Sequence, residues 1–186
     1  MKILKNTFAV LLVLIALAFM VGLFLPSNHH LERSITIHAP ASAVFEEVNN
    51  FKRWDYWSPW KGIDPNTIIR YEGPVSGVGS KMLWASKNSK VGKGSQEIIV
   101  SVPSKHITTR LKFEGWDGIT MASWKFEEQA GDMTRVTWTN DSQVGKNIFY
   151  KYLSMMVNTQ LGKDYENGLQ QLKNHVETMQ AASQSK

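Results

Sequence analysis

The chain contains no cysteine, which excludes disulfides, thiol nucleophiles and thiolate metal sites. Strong charge of either sign is also missing. The formal net charge is +5, yet Lys2 and Lys5 precede a separate apolar run, and from Glu32 onward 19 basic side chains stand against 16 acidic ones, a net of +3. So mild a field does not point to nucleic acid. No Gly-x-Ser-x-Gly elbow, His-Glu-x-x-His pair or Gly-Lys-Ser/Thr phosphate loop occurs. Gly73 to Gly79 (GPVSGVG) looks superficially like a phosphate loop but leads into a strand rather than a helix, so it reads as a turn. His29 and His30 have no third ligand nearby in the sequence, and neither a metal nor a cofactor is expected. His38, His106 and His175 read as surface or loosely satisfied histidines, and internal repeats and low-complexity tracts are lacking.

Phe8 to Leu25 (FAVLLVLIALAFMVGLFL) has no polar side chain. As a helix it covers about 27 Å, close to the hydrocarbon core of a bilayer. Ala16-Leu17-Ala18 offers a small-x-small triplet of the kind a signal peptidase cuts, but the apolar run continues past it to Leu25, which favours an uncleaved anchor. With Lys2 and Lys5 ahead of the span, the positive-inside tendency keeps the N-terminus cytoplasmic and sends the rest across, to a periplasmic or cell-surface side. The organisation expected is an anchor over 1–26, a short polar linker over 27–31, one domain over 32–180 and a disordered tail over 181–186.

Within the domain, Leu31 to His38 alternates as a strand, and Ala41 to Asn50 carries Val44, Phe45 and Val48 at helical spacing. WDYWSPW, residues 54–60, holds three of the seven tryptophans. Pro59 ends any helical turn there and leaves Trp60 on a loop, so Trp54 and Trp57 are expected to pack inward and Trp60 to be the one of the three that meets a ligand. Strands follow, separated by glycine-rich turns: Thr67–Glu72, Gly79–Ser86, Ser95–Val102, His106–Glu114, Ile119–Glu128 and Met133–Thr139. In the cleanest of these, Ile107, Thr109, Leu111 and Phe113 oppose Thr108, Arg110, Lys112 and Glu114, the mark of an antiparallel sheet covered on one face. After Gly145, Leu153, Val157, Leu161, Tyr165, Leu169, Leu172, Val176 and Met179 form an apolar stripe along one long helix. A kink near Gly162 is compatible with this pattern. No acid occurs between Gly73 and Gln96, while Lys81, Lys87, Lys90 and Lys93 do, which reads as a solvated hairpin with headgroup contact as the alternative.

The order is strand, one or two short helices, about six further strands and one long helix. This is an α+β arrangement whose simplest packing is a strongly curved antiparallel sheet of six or seven strands around the C-terminal helix. Its ordered pieces resemble a known family. They are Arg33-Ser34-Ile35 through Ala39-Pro40 with Val44-Phe45, Trp54-x-x-Trp57-Ser58-Pro59-Trp60, Tyr71-Glu72-Gly73-Pro74 with Gly77-Val78-Gly79, and Trp84. They continue as Gly92-Lys93-Gly94, Phe113-x-Gly115-Trp116, Val136-Thr137-Trp138, and Leu161-Gly162 with Gly168-Leu169 and Leu172-Lys173. From about Glu32 to Val176 the chain resembles the START-like superfamily with the Bet v 1-like helix-grip fold, specifically the bacterial polyketide cyclase/dehydrase and lipid transport (SRPBCC) group. The resemblance implies a hydrophobic cavity between concave sheet and long helix. It implies no catalytic motif.

The function expected is therefore binding of a small hydrophobic or amphipathic ligand, lipid or polyketide-like, by a membrane-anchored domain without chemistry. Trp84, Trp124 and Trp138, each on a different strand, are expected to lie together beneath the helix as packed core or as cavity wall. The ligand-binding residues expected are Trp57, Trp60, Met82, Trp84, Leu111, Phe113, Trp124, Trp138, Met156 and Tyr165. Pockets of this kind are mostly apolar, and an indole N–H can hold one ligand oxygen. Two alternatives stay open. One is a cyclase or dehydratase in which Tyr165, Asp55 or Arg110 handles protons; the other is a glycan-binding module presenting Trp54, Trp57 and Trp60 as an exposed platform.

Overall fold

A computed structural model describes residues 2–145 and 147–184, with the side chains of 2–5, 117, 155–158 and 184 outside the description. Helix α1 (Lys2–Phe24) is followed by β1 (Asn28–Ile37), α2 (Ala41–Asn49) and a 3₁₀ turn (Arg53–Tyr56). Then come β2 (Ile68–Glu72), β3 (Lys81–Ala85), β4 (Lys93–Val102), β5 (His106–Phe113), β6 (Trp116–Gln129), β7 (Met133–Gln143) and α3 (Ile148–Gln184). The seven strands form one antiparallel sheet in the order β1-β7-β6-β5-β4-β3-β2. Only the β1–β7 pairing joins strands distant in sequence. The other pairings are between strands consecutive along the chain. At the β5–β6 turn Gly115 adopts φ +78°, where a side chain would be strained.

The sheet curves around α3. Cross-strand register puts Ile35 opposite Val136, Trp138 opposite Trp124 and Trp124 opposite Ile107, so one phase of every strand faces the helix. The core is this concave face together with Val44, Phe45 and Val48 of α2 and Leu169, Leu172 and Val176 of α3, all buried. Burial of this kind supplies about 1.5–3 kcal/mol for each large apolar side chain. At the sheet edge α3 is clamped to β1: Lys173 Nζ donates to the Thr36 carbonyl at 2.8 Å, and Arg33 pairs with Glu166. Glu177 accepts from the His38 backbone N–H at 2.8 Å. The helix runs unbroken through Gly162, whose role is close approach, since a Cβ there would stand 2.6 Å from Arg33 Nη2.

Several boundaries differ from the pattern-based expectation. Residues 28–31, expected as linker, are the first turns of β1, because His29, His30 and Leu31 find partners in Ser142, Asp141 and Asn140 of β7. That same pairing carries β7 to Gln143 rather than Thr139. Trp116 already pairs with Phe113, so β6 begins inside the stretch expected as a turn. The tail expected from 181 continues as helix to Gln184.

Candidate functional site

The tryptophans of the 3₁₀ turn explain themselves through the helix before them. The last carbonyls of an α-helix have no intrahelical partner. Here Trp54 Nε1 donates to the Val48 carbonyl at 3.0 Å and Trp57 Nε1 to the Glu47 carbonyl at 3.3 Å. Both indoles cap α2 and turn their rings inward, to 2% and 0% exposure. The exposed platform considered for Trp54, Trp57 and Trp60 therefore does not form.

The inward rings meet a stack. Trp124 of β6 lies on Trp138 of β7 at 4.1 Å between centroids and 22°, and Trp138 lies on Tyr165 of α3 at 3.6 Å and 15°. Trp57 approaches both stacked indoles edge-on at 5.7 and 6.3 Å, and Trp60 meets Trp138 at 5.8 Å and 88°. Each such pair contributes about 0.5–1.5 kcal/mol beyond its buried area. Gly168 permits the arrangement, since a Cβ there would sit 3.0 Å from Trp138 and 3.1 Å from Pro59. Of the residues expected to bind ligand, Trp57, Trp124, Trp138 and Tyr165 are thus fully buried against one another, with Trp60 half-buried at their edge. The indole N–H groups of Trp124 and Trp138 are buried with no hydrogen-bond partner among the described residues, a cost of about 1–3 kcal/mol each.

Trp84 is not part of this stack. Phase places it on the concave face, but β3 lies three strands from β6, and its ring contacts Phe113 at 5.7 Å while its N–H donates to the Val91 carbonyl. Met82, Trp84 and Leu111 are half-buried and Phe113 is 37% exposed, so this part of the face is open where the stack is closed. Met156 lies on α3, but its side chain is outside the described residues.

Between the closed and open parts runs a shelf of buried neutral polar side chains: Gln96, Thr109, Thr120, Asn140 and Ser142. Register brings them together, pairing Thr120 with Ser142 and Ala122 with both Thr109 and Asn140. Gln96 Nε2 donates to Thr109 Oγ1 at 3.1 Å, and the Asn140 side chain bonds the Tyr165 hydroxyl. The pattern hides this shelf only in part. Thr120 and Thr109 fall in phase with Trp124 and Ile107, whereas Asn140 and Ser142 lie past the strand end that periodicity predicts.

Among the described residues, the concave phase of β3 to β7 carries one ionisable side chain, the exposed Glu128 at the far end of β6; Tyr165 enters from α3. Burial pushes its hydroxyl far above the ordinary phenol range, so it stays protonated and offers a donor rather than a base. The other proton carriers considered point elsewhere: Asp55 is exposed and pairs with Lys61 at 3.2 Å, and Arg110 is exposed on the convex phase opposite Glu97. One serine does meet a histidine, with Ser154 Oγ 2.7 Å from His29 Nε2. That hydroxyl also donates to the Lys151 carbonyl at 2.8 Å. With the serine proton committed there, the imidazole must be the donor, and the pair is a strut between α3 and β1 rather than an activated nucleophile. His175, expected as a surface or loosely satisfied histidine, bonds the buried Glu47 at 3.1 Å, and Arg53 holds the same carboxylate at 2.5 Å.

Comparison with known proteins agrees with this architecture. The family model described as polyketide cyclase / dehydrase and lipid transport matches residues 28–177. No curated protein matches the chain. Among solved structures, the hypothetical protein jhp0584 from Helicobacter pylori superposes with a TM-score of 0.62 at 11% identity, over 80% of this chain and 88% of its own. A protein of unknown function from Staphylococcus aureus, SA2116, gives 0.60 at 16%, over 83% and 98%. Ara h 8.0201 gives 0.58 at 12%, over 81% and 99%. At these identities the likeness shows the fold.

Proposed function

The chain belongs to the polyketide cyclase/dehydrase and lipid transport family, and on that premise we propose that it is a membrane-anchored binding domain for a small hydrophobic or amphipathic molecule. The ligand lies beneath the N-terminal half of α3, against Met82, Trp84, Leu111 and Phe113, with Trp60 at the rim. Trp57, Trp124, Trp138 and Tyr165 form the stiff wall at its inner end. The observation that carries this reading is the make-up of the concave face: partly exposed apolar side chains run into a neutral hydrogen-bonding shelf. Such a surface suits a long apolar body ending in a hydroxyl or carbonyl, because a charged group there would lose its hydration without gaining a counter-charge.

The anchor is α1. Its segment Asn6–Phe24 is 19 residues long with mean hydropathy 2.8 and is 6% buried, which is the composition of a membrane span. With Lys2 and Lys5 on the cytoplasmic side, the domain lies outside the cytoplasm.

Native mass spectrometry and solvent extraction of the full-length protein purified in mild detergent test the proposal. A co-purifying apolar molecule, lost in Leu111→Trp, is the expected result. A protein that carries no such molecule and takes up none from a panel of fatty acids, phospholipids and aromatic polyketides refutes it.

A further inference from the structure

The first turns of α3 are built against the last turns of α1. Tyr152 Oη donates to the Ala18 carbonyl at 2.7 Å, Lys151 Nζ reaches the Leu23 carbonyl at 3.3 Å, and any side chain at Gly22 would overlap Ile148. Ala18 lies about 9 Å before Phe24 along the helix axis, at 1.5 Å per residue. If Asn6–Phe24 crosses a bilayer, an atom of α3 is fixed well below the level at which that span ends.

The surfaces beside this contact are apolar and exposed: Phe149 at 69%, Leu153 at 41%, Ile119 at 54% and Tyr152 at 37%. Aromatic rings connect them to the open part of the concave face. Phe149 meets Tyr150 at 6.0 Å, Tyr150 stacks on Trp116 at 6.3 Å and 12°, and Trp116 meets Phe113 at 6.3 Å. A cleft of about 390 Å³ opens here between Trp116, Ile119, Val144 and Tyr150. Register sets the β3–β4 turn at the same end of the sheet, since Ala85 pairs with Lys93 and the neighbouring Gly94 with Phe113. That turn carries the exposed Lys87 and Lys90 in a stretch without acids.

We propose that this end of the domain is a membrane-embedded rim. The start of α3 and the β5–β6 hairpin sink into the outer leaflet beside α1, Lys87 and Lys90 face anionic headgroups, and the open concave face receives its ligand from the bilayer without passage through water. Tyr and Trp favour this depth, and exposed lysines there are drawn to an anionic surface. The proposal rests on α1 being a membrane span.

Because the chain has no cysteine, single labels report position directly. Phe149→Cys and Ile119→Cys, each carrying an environment-sensitive NBD fluorophore, are reconstituted as full-length protein in vesicles of phosphatidylethanolamine and phosphatidylglycerol. Val102→Cys, exposed at the far end of the sheet, is the comparison. The expected result is a blue-shifted emission at 149 and 119 that loses most of its intensity to lipids bearing a nitroxide near the glycerol, with position 102 unaffected. Water-like emission at 149 and 119 in protein that resists an alkaline wash overturns the rim and leaves the anchor standing. Protein stripped from the vesicles by that wash overturns both.

Discussion

Four buried tryptophans differ in one respect that can be weighed. Trp54 and Trp138 are equally buried, at 2% and 1%, but the Trp54 N–H has the Val48 carbonyl and the Trp138 N–H has no partner among the described residues. Replacing either by phenylalanine removes about 40 Å³ of ring, worth about 1 kcal/mol at 24 cal/mol per Å³ of residual cavity. That cost is common to both. Trp54→Phe also strands a buried carbonyl at the end of α2, adding about 1–3 kcal/mol, whereas Trp138→Phe removes a donor that was already stranded and recovers a similar amount. The expected outcome is a loss of about 2–4 kcal/mol for Trp54→Phe and, for Trp138→Phe, a change between zero and a gain of about 2 kcal/mol. Urea unfolding of the full-length variants in the same detergent, followed by near-ultraviolet circular dichroism, measures both on one scale. If Trp138→Phe proves as destabilising as Trp54→Phe, the Trp138 N–H has a partner and the reasoning fails.

Gly168→Leu is expected to cost several kcal/mol, about 3 or more, because the new side chain must displace Trp138 and Pro59 together. Gly162→Ala must shift the Arg33 guanidinium that holds Glu166, which offsets a gain in helix propensity of up to about 1 kcal/mol, so its net effect is expected to lie near zero; thermal melts separate the two. Arg53→Ala leaves the buried Glu47 carboxylate with His175 alone and is expected to destabilise by about 3–5 kcal/mol in the same urea assay. Burial pushes the Glu177 carboxyl up, but the His38 backbone and ring and the Lys173 ammonium outweigh it and hold the group below its usual range. A lowered folded-state value means that its stabilisation is present above the unfolded value, about 4.3, and is lost as pH falls through the folded one. Glu177→Gln should therefore flatten the acid limb of the stability profile while leaving its slope near pH 7 unchanged.

Strand phase was legible because a period of two assigns faces without knowledge of neighbours. Ile107, Thr109, Trp124 and Trp138 all lie on the face their alternation predicts. Strand order is a different kind of information. Trp84 shares the phase of Trp124 and Trp138, and only the sheet order separates it from them. Strand length was misjudged wherever a distant partner decides it, as His29 and His30 are drawn into β1 by β7 despite a polar, linker-like composition. The inward packing expected of Trp54 and Trp57 is what the structure shows, while the bonds that hold it were least accessible. Their spacing fits a stacking platform as well as a core, and the deciding bonds run to backbone carbonyls of α2, which carry no sequence signature.

The stripe along α3 has a consequence for how one fold holds both a rigid wall and an open site. Its apolar residues recur with the same step from Leu153 to Met179, yet their fates diverge. Tyr165, Leu169, Leu172 and Val176 are buried, Leu161 is half-buried and Leu153 is 41% exposed. The buried segment is the part covered by α2 and by the loop at Pro59, with Gly168 letting that loop approach. The remaining segment has the same apolar character without the same cover, and its start is tied to α1 instead. A helix needed only as core would let that end turn polar, since exposed apolar surface brings no stability to the fold. The exposure of Phe149, Tyr152 and Leu153 beside α1, next to the open part of the sheet, is what the proposed ligand site fed from a bilayer requires.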